Sequence, residues 1–468
     1  MKIPSILKRN WKPLLTLGFG VLVFLFWMLR YPFLLLGKEE VTLFLWDKEF
    51  LRERLAAPGG LAHYIGDFLT QFFYDIRLGA LVFALLFVVQ QWMVWRLCKR
   101  WEKKEHAEGH EQETKAAGVY LLSFIPSFIL WFLTGDLNVE MTYIVVVVLA
   151  SALMTIIPVN KKAGVIILVI AIPLTYWLLG PVAVILPFCV FLQCGHTCRS
   201  AIITFVALML LAILCVVGSW WFAPYPLNQL VQGIHYCFWD STSSAIGELL
   251  LLLAIVAIPF FCGKIGNKLG NKACWFVGVA CFLLGLLLAP RGFHDSDYEE
   301  VEYDALLRCD LWQTIYAKGK TNIPGTMACR LTFGEALCRK GEASRSEMMK
   351  ALTTNGVMNS QPSAFIMSEL YFMNNMVNKS QYAAFEAMQS GFYSKSARAL
   401  RRLVETNLIT GHYKVALKYI SLLEETLFYR SWAKKMRTLA EHPEHIDDHP
   451  TYGPLRLAYL QSEDELFY

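Results

Sequence analysis

Long stretches of consecutive apolar residues dominate the first 290 positions of the chain. Nine of these stretches carry few or no charged side chains: 13–29, 78–95, 116–133, 141–159, 164–179, 182–192, 201–220, 246–261 and 273–288. At about 1.5 Å per residue, most are long enough to cross much or all of a hydrocarbon core about 30 Å thick. The period-two alternation of a β-barrel is absent, so the pattern predicts about nine membrane-spanning helices.

Beyond Arg291 the pattern changes, because charged and apolar residues alternate at helical spacing without strand-like segments. The sequence therefore predicts an all-α protein in which a transmembrane helical bundle precedes a soluble helical domain. We place the transmembrane domain at residues 1–290, with a long first outer loop at 37–77. An acidic juxtamembrane linker follows at 291–304, and the soluble domain occupies 305–468.

The soluble domain contains a repeat-like pattern. Residues 411–419, with Gly411, Tyr413 and Ala416, resemble the second helix of a tetratricopeptide (TPR) unit, whose first helix would be residues 397–408, and residues 378–385 form a weaker echo. Stacked helix pairs of this kind form concave surfaces that bind protein partners. Residues 464–468 do not form a recognisable polar capping helix, which is expected if the array is truncated or docks its end elsewhere.

Composition supports a membrane location. The chain is 56% hydrophobic and 17% charged, whereas soluble domains are roughly 45–50% apolar and 25% charged. The net charge of +5 is modest, and the basic residues form short clusters beside apolar runs instead of one basic face. We therefore expect the lipid bilayer as a partner and no nucleic acid.

The basic clusters also predict which side each loop faces, since Lys and Arg gather in cytoplasmic loops. The clusters are Lys2, Lys8, Arg9 and Lys12; Arg96, Lys99, Arg100, Lys103 and Lys104; Lys161 and Lys162; Arg199; and Lys264, Lys268 and Lys272. With nine spans all of them lie on the side of the N-terminus, the cytoplasm. If Gly180 and Pro181 only bend one helix, the last two clusters move outside, so charge favours two helices there. The soluble domain is then periplasmic in a bacterium.

The first outer loop supplies the strongest candidate for chemistry. Asp47 and Glu49 share a face if the backbone is extended, and such a pair can hold a divalent cation or act as a base on a hydroxyl group. The alternative is a helix that lies in the membrane interface with its charges solvated.

A later outer loop is rich in aromatic residues beside one carboxylate. Its candidate substrate-binding residues are Trp220, Trp221, Tyr225, His235 and Trp239, and its acid, Asp240, is the third candidate catalytic residue. Aromatic faces next to an acid suit a sugar or an isoprenoid-linked head group. They are equally typical of a membrane-interface belt.

Other kinds of site are not indicated. The chain has no nucleotide-binding glycine motif and no serine nucleophile motif. Cys194, His196 and Cys198 do not match a zinc spacing, so no metal ligand is assigned and the cofactor stays unknown, apart from a divalent cation at the paired acids.

Four segments resemble a bacterial membrane-protein family of unknown function: PGGLAHY at 58–64, DFLTQFF at 67–73, NLITGHY at 407–413 and FYRSWA at 428–433. The plan of the chain also resembles the GT-C class of glycosyltransferases, which use polyprenyl-phosphate sugars. That resemblance implies an inside N-terminus and a paired acid in the first outer loop, here Asp47 and Glu49. The acids lie well past the first span, and nine spans are fewer than most of that class has.

Two functions follow as hypotheses. In the first, a cytoplasmic-membrane protein presents a periplasmic TPR-like domain to a protein partner. In the second, a GT-C-like glycosyltransferase acts at the periplasmic face with a polyprenyl-phosphate-linked sugar.

Overall fold

The computed structural model describes residues 5–102, 112–156, 161–188, 199–234, 236, 242–268, 271–390 and 395–461. Every regular element within these ranges is an α-helix or a short 3-10 turn. The prediction of an all-α fold is therefore confirmed for this part of the chain.

In the described part of the chain, thirteen helices precede residue 292: α1 (Ser5–Leu29), α2 (Pro32–Glu40), α3 (Lys48–Leu55), α4 (Gly60–Thr70), α5 (Ile76–Glu102), α6 (Gln112–Leu122), α7 (Ile125–Thr134), α8 (Met141–Ile156), α9 (Lys161–Leu179), α10 (Arg199–Trp220), α11 (Leu227–Gln232), α12 (Thr242–Lys268) and α13 (Asn271–Leu288). The 3-10 turns of this region are Gln71–Tyr74, Pro181–Val184 and Ala289–Gly292.

Ten helices follow: α14 (Asp295–Arg308), α15 (Trp312–Thr321), α16 (Met327–Arg339), α17 (Arg345–Asn355), α18 (Gln361–Met373), α19 (Val377–Gln389), α20 (Ala397–Ile409), α21 (Tyr413–Glu424), α22 (Arg430–Glu441) and α23 (Tyr452–Gln461).

These elements form two compact units. The first, which we call the anchor unit, comprises Met1–Arg30, Glu49–Leu69 and Ala80–His294. The second, the tail unit, comprises Tyr31–Lys48, Thr70–Gly79 and Asp295–Tyr468. The predicted loop 37–77 is thus shared between the units, and most of the predicted linker 291–304 lies in α14.

Five helical stretches in the described part are long and apolar enough to cross a membrane: Trp11–Leu29, Ile76–Arg100, Ala117–Thr134, Ile202–Trp220 and Lys272–Gly292. Three shorter apolar helices are Met141–Ile156, Ile166–Leu179 and Ile246–Cys262. These eight stretches coincide with eight of the nine predicted runs, and residues 189–192 of the remaining run lie outside the described part. Membrane association is supported, while the count of nine spans stays a prediction.

Glycines bring helices of the anchor unit close together. A Cβ atom on Gly118 of α6 would lie 2.5 Å from the backbone oxygen of Cys274 on α13. A Cβ atom on Gly278 would lie 2.6 Å from the backbone oxygen of Gly118. Small residues allow such close backbone approach between helices in a membrane, where van der Waals packing drives association.

Buried amides add hydrogen bonds within the anchor unit. Gln90 on α5 donates to the hydroxyl group of Ser151 at 3.0 Å, and Gln91 donates to that of Ser123 at 2.8 Å. Paired polar side chains of this kind contribute to helix association in an apolar surrounding.

The helices of the tail unit pack in the order of the sequence. From α18 to α22, each helix contacts the next one along the chain. The side chain of Ser396 caps α20 by accepting a hydrogen bond from the backbone N–H of Ala399 at 3.2 Å. At the turn into α21, Gly411 has a φ of 85°, a conformation that glycine adopts without strain. The turn and both helices agree with the predicted repeat unit, and the TPR resemblance itself stays a prediction.

Residues of the predicted first outer loop are part of the tail core. Leu43 is buried among side chains of α20 to α22. The backbone N–H of Trp46 donates to the backbone oxygen of Glu425 at 2.8 Å. The ring of Tyr74 stacks on that of Phe428, with centroids 5.2 Å apart. The tail unit is therefore built from discontinuous pieces of the chain.

Candidate functional site

An apolar cavity of about 870 Å³ lies within the anchor unit. This volume is within the roughly 300–1,000 Å³ typical of small-molecule sites. Its apolar wall includes Val182, Ala212, Val216 and Leu252, and its polar lining residues are Tyr143, Gln232, Tyr236 and Glu248. The cavity thus combines an extensive apolar surface with a few polar groups.

The polar wall of this cavity is held by hydrogen bonds to backbone atoms. The hydroxyl group of Tyr143 donates to the backbone oxygen of Glu248 at 2.8 Å, and that of Tyr236 donates to the backbone oxygen of Leu179 at 2.5 Å. Burial raises the pKa of the Tyr236 phenol well above its usual value, and the charge of Glu248 adds to the rise. Tyr236 is therefore a neutral hydrogen-bond donor at physiological pH.

Glycines make room for Tyr236. Gly233 has a φ of 105°, and a Cβ atom there would lie 2.3 Å from the ring. Gly180 has a φ of 92°, and its Cβ atom would lie 2.8 Å from the Tyr236 hydroxyl oxygen. The Gly180-Pro181 break therefore has a specific role, which is to accept the tyrosine that closes one wall of the cavity.

A second polar group of the anchor unit connects α3 and α4. The Nε atom of Arg54 lies 3.0 Å from Oδ2 of Asp67, and the Nε2 atom of His63 lies 3.3 Å from the same oxygen. All three side chains are buried, and His63 is 0% exposed. Charge-assisted contacts of this kind stabilise a buried carboxylate, and the burial of the triad favours a structural role.

A buried ionic cluster occupies the tail unit. The guanidinium of Arg398 contacts Glu40 at 2.6 Å and Asp304 at 2.8 Å. Arg308 also contacts Glu40, at 2.9 Å, and the hydroxyl group of Tyr429 donates to Glu39 at 3.1 Å. The cluster therefore joins α2, α14, α20 and the residue that precedes α22.

The cluster continues along α20 beside a small polar cavity. Arg402 pairs with Glu369 and contacts Glu405 at 2.9 Å. The cavity has a volume of about 120 Å³, and Arg398 and Arg401 also line it. Four arginines and two glutamates line this cavity, and Glu40 and Asp304 pair with Arg398 from outside it, so the lining itself has an excess of basic groups.

The buried acids differ in how they titrate. Burial raises the pKa of Glu39 to about 7, although Arg308 opposes the rise. Burial also raises the pKa of Asp304, despite the charge of Arg398. Burial would raise the pKa of Glu369 as well, but Arg402 and Arg398 lower it to about 2. Glu369 therefore stays charged throughout the physiological pH range.

The predicted paired acids lie on the surface. Asp47 and Glu49 are both exposed, Asp47 in the tail unit just before α3 and Glu49 in the first turn of that helix. The carboxylate of Glu49 accepts a hydrogen bond from Arg52 at 2.9 Å. Their catalytic role is untested and stays a prediction.

The predicted aromatic residues are spread out. Trp220 and Trp221 are exposed, the latter at 78%, and Tyr225 is half-buried against the cluster around Tyr176 and Leu230. The predicted residues His235, Trp239 and Asp240 lie outside the described residues.

None of the predicted site residues described in the anchor unit lines the cavity. Tyr236, a neighbour of the predicted residues in the same aromatic loop, does line it. His63 and Asp67 fall within the segments 58–64 and 67–73 that carry the family resemblance, and their i,i+4 spacing on α4 was the signal available in the sequence. Across the described residues, no group of three or more His, Cys, Asp or Glu is placed to hold a metal ion.

Comparison with known proteins identifies one family. A protein-family model described as "Family of unknown function (DUF6057)" matches residues 8–468. No curated protein and no solved structure matches the chain.

Proposed function

The chain belongs to this family of unknown function, and we propose that it is a multi-pass protein of the cytoplasmic membrane that presents its tail unit to a protein partner in the periplasm. In this proposal the helices of the tail unit form a TPR-like platform. The observation that carries the proposal is the ion pair between Glu40, from the first loop, and Arg398, from the tail.

That ion pair bears on topology. Residues 31–48 and 70–79 follow the first span and precede the second, yet they share a buried core with residues 295–468. Segments that pack into one core lie on the same side of a membrane, so the tail shares its side with the first loop. An odd number of spans then separates the N-terminus from the tail. Nine spans and the basic clusters agree with this arrangement.

The platform is supported by the way the tail helices pack. Consecutive helices contact one another from α18 to α22, as expected for stacked repeats. Apolar side chains remain exposed on this array, among them Tyr382 on α19 and Val415 and Leu422 on α21. Val415 and Leu422 are seven residues apart and lie on one face of α21, which suits contact with an apolar partner surface.

Topology is tested by single cysteines on a cysteine-free background in intact cells. We expect Glu49→Cys and Lys350→Cys to react with a membrane-impermeant maleimide added from outside. Lys99→Cys, at the end of α5, is the matched control and is expected to react only after the membrane is permeabilised. Reaction of Lys350→Cys only after permeabilisation contradicts the proposal.

The platform is tested by a photoreactive amino acid placed at Val415 or Leu422 of the full chain. A discrete adduct with one periplasmic protein is the expected result at both positions. Lys350, exposed on α17, is the control position. Equal yields of the adduct at all three positions, or no adduct at any of them, count against the platform.

The alternative is a GT-C-like glycosyltransferase with a polyprenyl-phosphate-linked donor. The apolar cavity of the anchor unit is large enough for the lipid chain of such a donor, whereas Glu248 in its lining disfavours the phosphate. The test is a deletion strain complemented with Asp47→Ala, Glu49→Ala or Asp240→Ala. If deletion changes the glycolipid profile and each variant restores it fully, these acids have no catalytic role. If a variant fails to restore the glycolipid profile, the result supports the glycosyltransferase, with a divalent cation at the paired acids.

A further inference from the structure

The lining of the anchor cavity carries a distinctive charge. Among the described residues that line it, Glu248 has the only acidic side chain, and the other polar residues include Tyr143, Tyr236 and Gln232. No Lys, Arg or His is among the described residues that line it. A ligand in this cavity therefore meets one carboxylate and several uncharged hydrogen-bonding groups.

This charge selects among lipid head groups. A phosphate beside Glu248 would either place two like charges at short distance in an apolar surrounding, where repulsion is far stronger than in water, or require one of the two groups to take up a proton. A hydroxyl group, in contrast, can donate to the carboxylate or to a phenol oxygen and accept from the Gln232 amide without adding a charge. The wall is therefore complementary to an uncharged alcohol.

The remaining lining suits a hydrocarbon chain. Side chains from α10 and α12 dominate it, including Ala212, Val216 and Leu252. Ile213, Leu249 and Leu253 also line the cavity and are themselves exposed on the apolar surface of these helices. Because that surface faces lipid when the helices span the membrane, a chain can enter from the bilayer.

We propose that the anchor cavity binds a membrane lipid whose chain is apolar and whose head group is an uncharged hydroxyl, such as a diacylglycerol or an isoprenoid alcohol. The hydroxyl group lies against Glu248, Tyr143 and Tyr236, and the chain lies between α10 and α12. The proposal needs the anchor unit to be in the membrane but does not depend on the tail platform. Failure to capture a periplasmic partner therefore leaves it unaffected.

The test uses the full chain in lipid nanodiscs and a diacylglycerol that carries a diazirine on one acyl chain. Light should attach this probe to peptides of α10 or α12. Unlabelled dioleoylglycerol should compete about tenfold better than dioleoylphosphatidylglycerol, which has the same chains and an anionic head group. A dolichol-type alcohol and its phosphate form a second matched pair, which separates acyl from isoprenoid chains.

Variants connect the label to the cavity. Ala212→Trp fills it, because Ala212 is 2% exposed and lines the wall, and labelling should be lost. Leu210→Trp is the control on the same helix, since Leu210 is 55% exposed and does not line the cavity. Glu248→Gln keeps the shape and removes the charge, so the preference for dioleoylglycerol over the anionic lipid should fall to near parity. Glu248→Gln keeps the test decisive if Ala212→Trp does not fold.

Four results would overturn the proposal. Equal or better competition by the anionic lipid excludes a preference for uncharged head groups and favours the lipid-phosphate donor. Undiminished labelling of a folded Ala212→Trp places the label outside the cavity. An unchanged preference in Glu248→Gln removes the carboxylate from recognition. No labelling of the wild-type chain also rejects the site.

Discussion

Arg398 contacts Glu40 at 2.6 Å although 358 positions separate them in the sequence. Both side chains are buried, and Asp304 completes the contact from α14. The pair connects α2, which follows α1, to α20 far along the chain. It is therefore a central interaction of the tail unit.

Loss of this guanidinium should be costly. Arg398→Met leaves Glu40 and Asp304 buried without it, and breaking a buried pair in this way costs about 3–5 kcal/mol. Denaturant titration of the full chain in detergent, followed by protease resistance of the tail unit, measures the effect. Arg437→Met is the matched control, because its partner Glu424 is partly exposed and such pairs contribute about 0–1 kcal/mol. If the two variants lose the same free energy of unfolding, the pair between Arg398 and Glu40 is not a central interaction of the tail unit.

The stability of the tail unit should depend on pH through Glu39. Its pKa is raised from 4.5 to about 7 in the folded state, so the unfolded chain releases the proton first as the pH rises. The contribution is fully present below pH 4.5 and is lost as the pH rises through about 7. Asp304 acts in the same direction.

We therefore expect the unfolding midpoint of the tail unit to decrease when the pH is raised from about 5 to about 8. In Glu39→Gln this decrease should be smaller. In this range Glu369 is charged in both states, because its folded pKa is about 2. The comparison of the two proteins at both pH values is the measurement. If the unfolding midpoint of Glu39→Gln depends on pH in the same way as that of the wild-type protein, Glu39 does not titrate as the structure indicates.

A fragment of residues 295–468 should be incompletely folded. It lacks Leu43 and Tyr74, which pack into the tail core, and it lacks Glu40. We expect proteases to cleave it faster than the same region of the full chain, and a dye that reports exposed apolar surface to bind it more strongly. Equal protection would mean that residues 31–48 and 70–79 contribute little to the core.

The close approach of α6 and α13 predicts a sharp difference between two glycines. Gly118→Ala places a methyl group against the backbone of Cys274, and overpacking of this kind costs about 1–3 kcal/mol. Gly218→Ala meets nothing within 4 Å, so it should be neutral or slightly stabilising. The fraction of monodisperse protein that survives heating in detergent distinguishes them. If both variants lose a similar fraction of monodisperse protein, the helices are not closely packed at Gly118.

Local features of the sequence were good guides to local structure. The helix Ala397–Ile409 and the turn at Gly411 were predictable, because helical periodicity and a left-handed glycine leave a signal within a few residues. Apolar runs predicted the long apolar helices for the same reason. Their exact number is harder to read, because the Gly180-Pro181 break permits two interpretations.

The ionic cluster could not be predicted, because a pair separated by 358 positions leaves no local pattern. The acidic residues up to Asp304 indicated a juxtamembrane linker, and the burial of Asp304 against Arg398 left no signal in the sequence. The cavity was missed for a related reason: Tyr143, Tyr236 and Glu248 come from distant segments. Only Tyr236 stood in a loop that the sequence marked for function.

The discontinuous tail unit has a consequence for biosynthesis. Glu40 and Leu43 leave the ribosome long before α20 and α21, and nascent chains fold from the N-terminal end. Until α20 and α21 have been synthesised, the carboxylate of Glu40 has no guanidinium from Arg398, and Leu43 lacks the apolar side chains of these helices. A nascent chain arrested before α20 therefore exposes this surface, and quality-control proteases that recognise uncovered apolar segments can distinguish it from the finished protein.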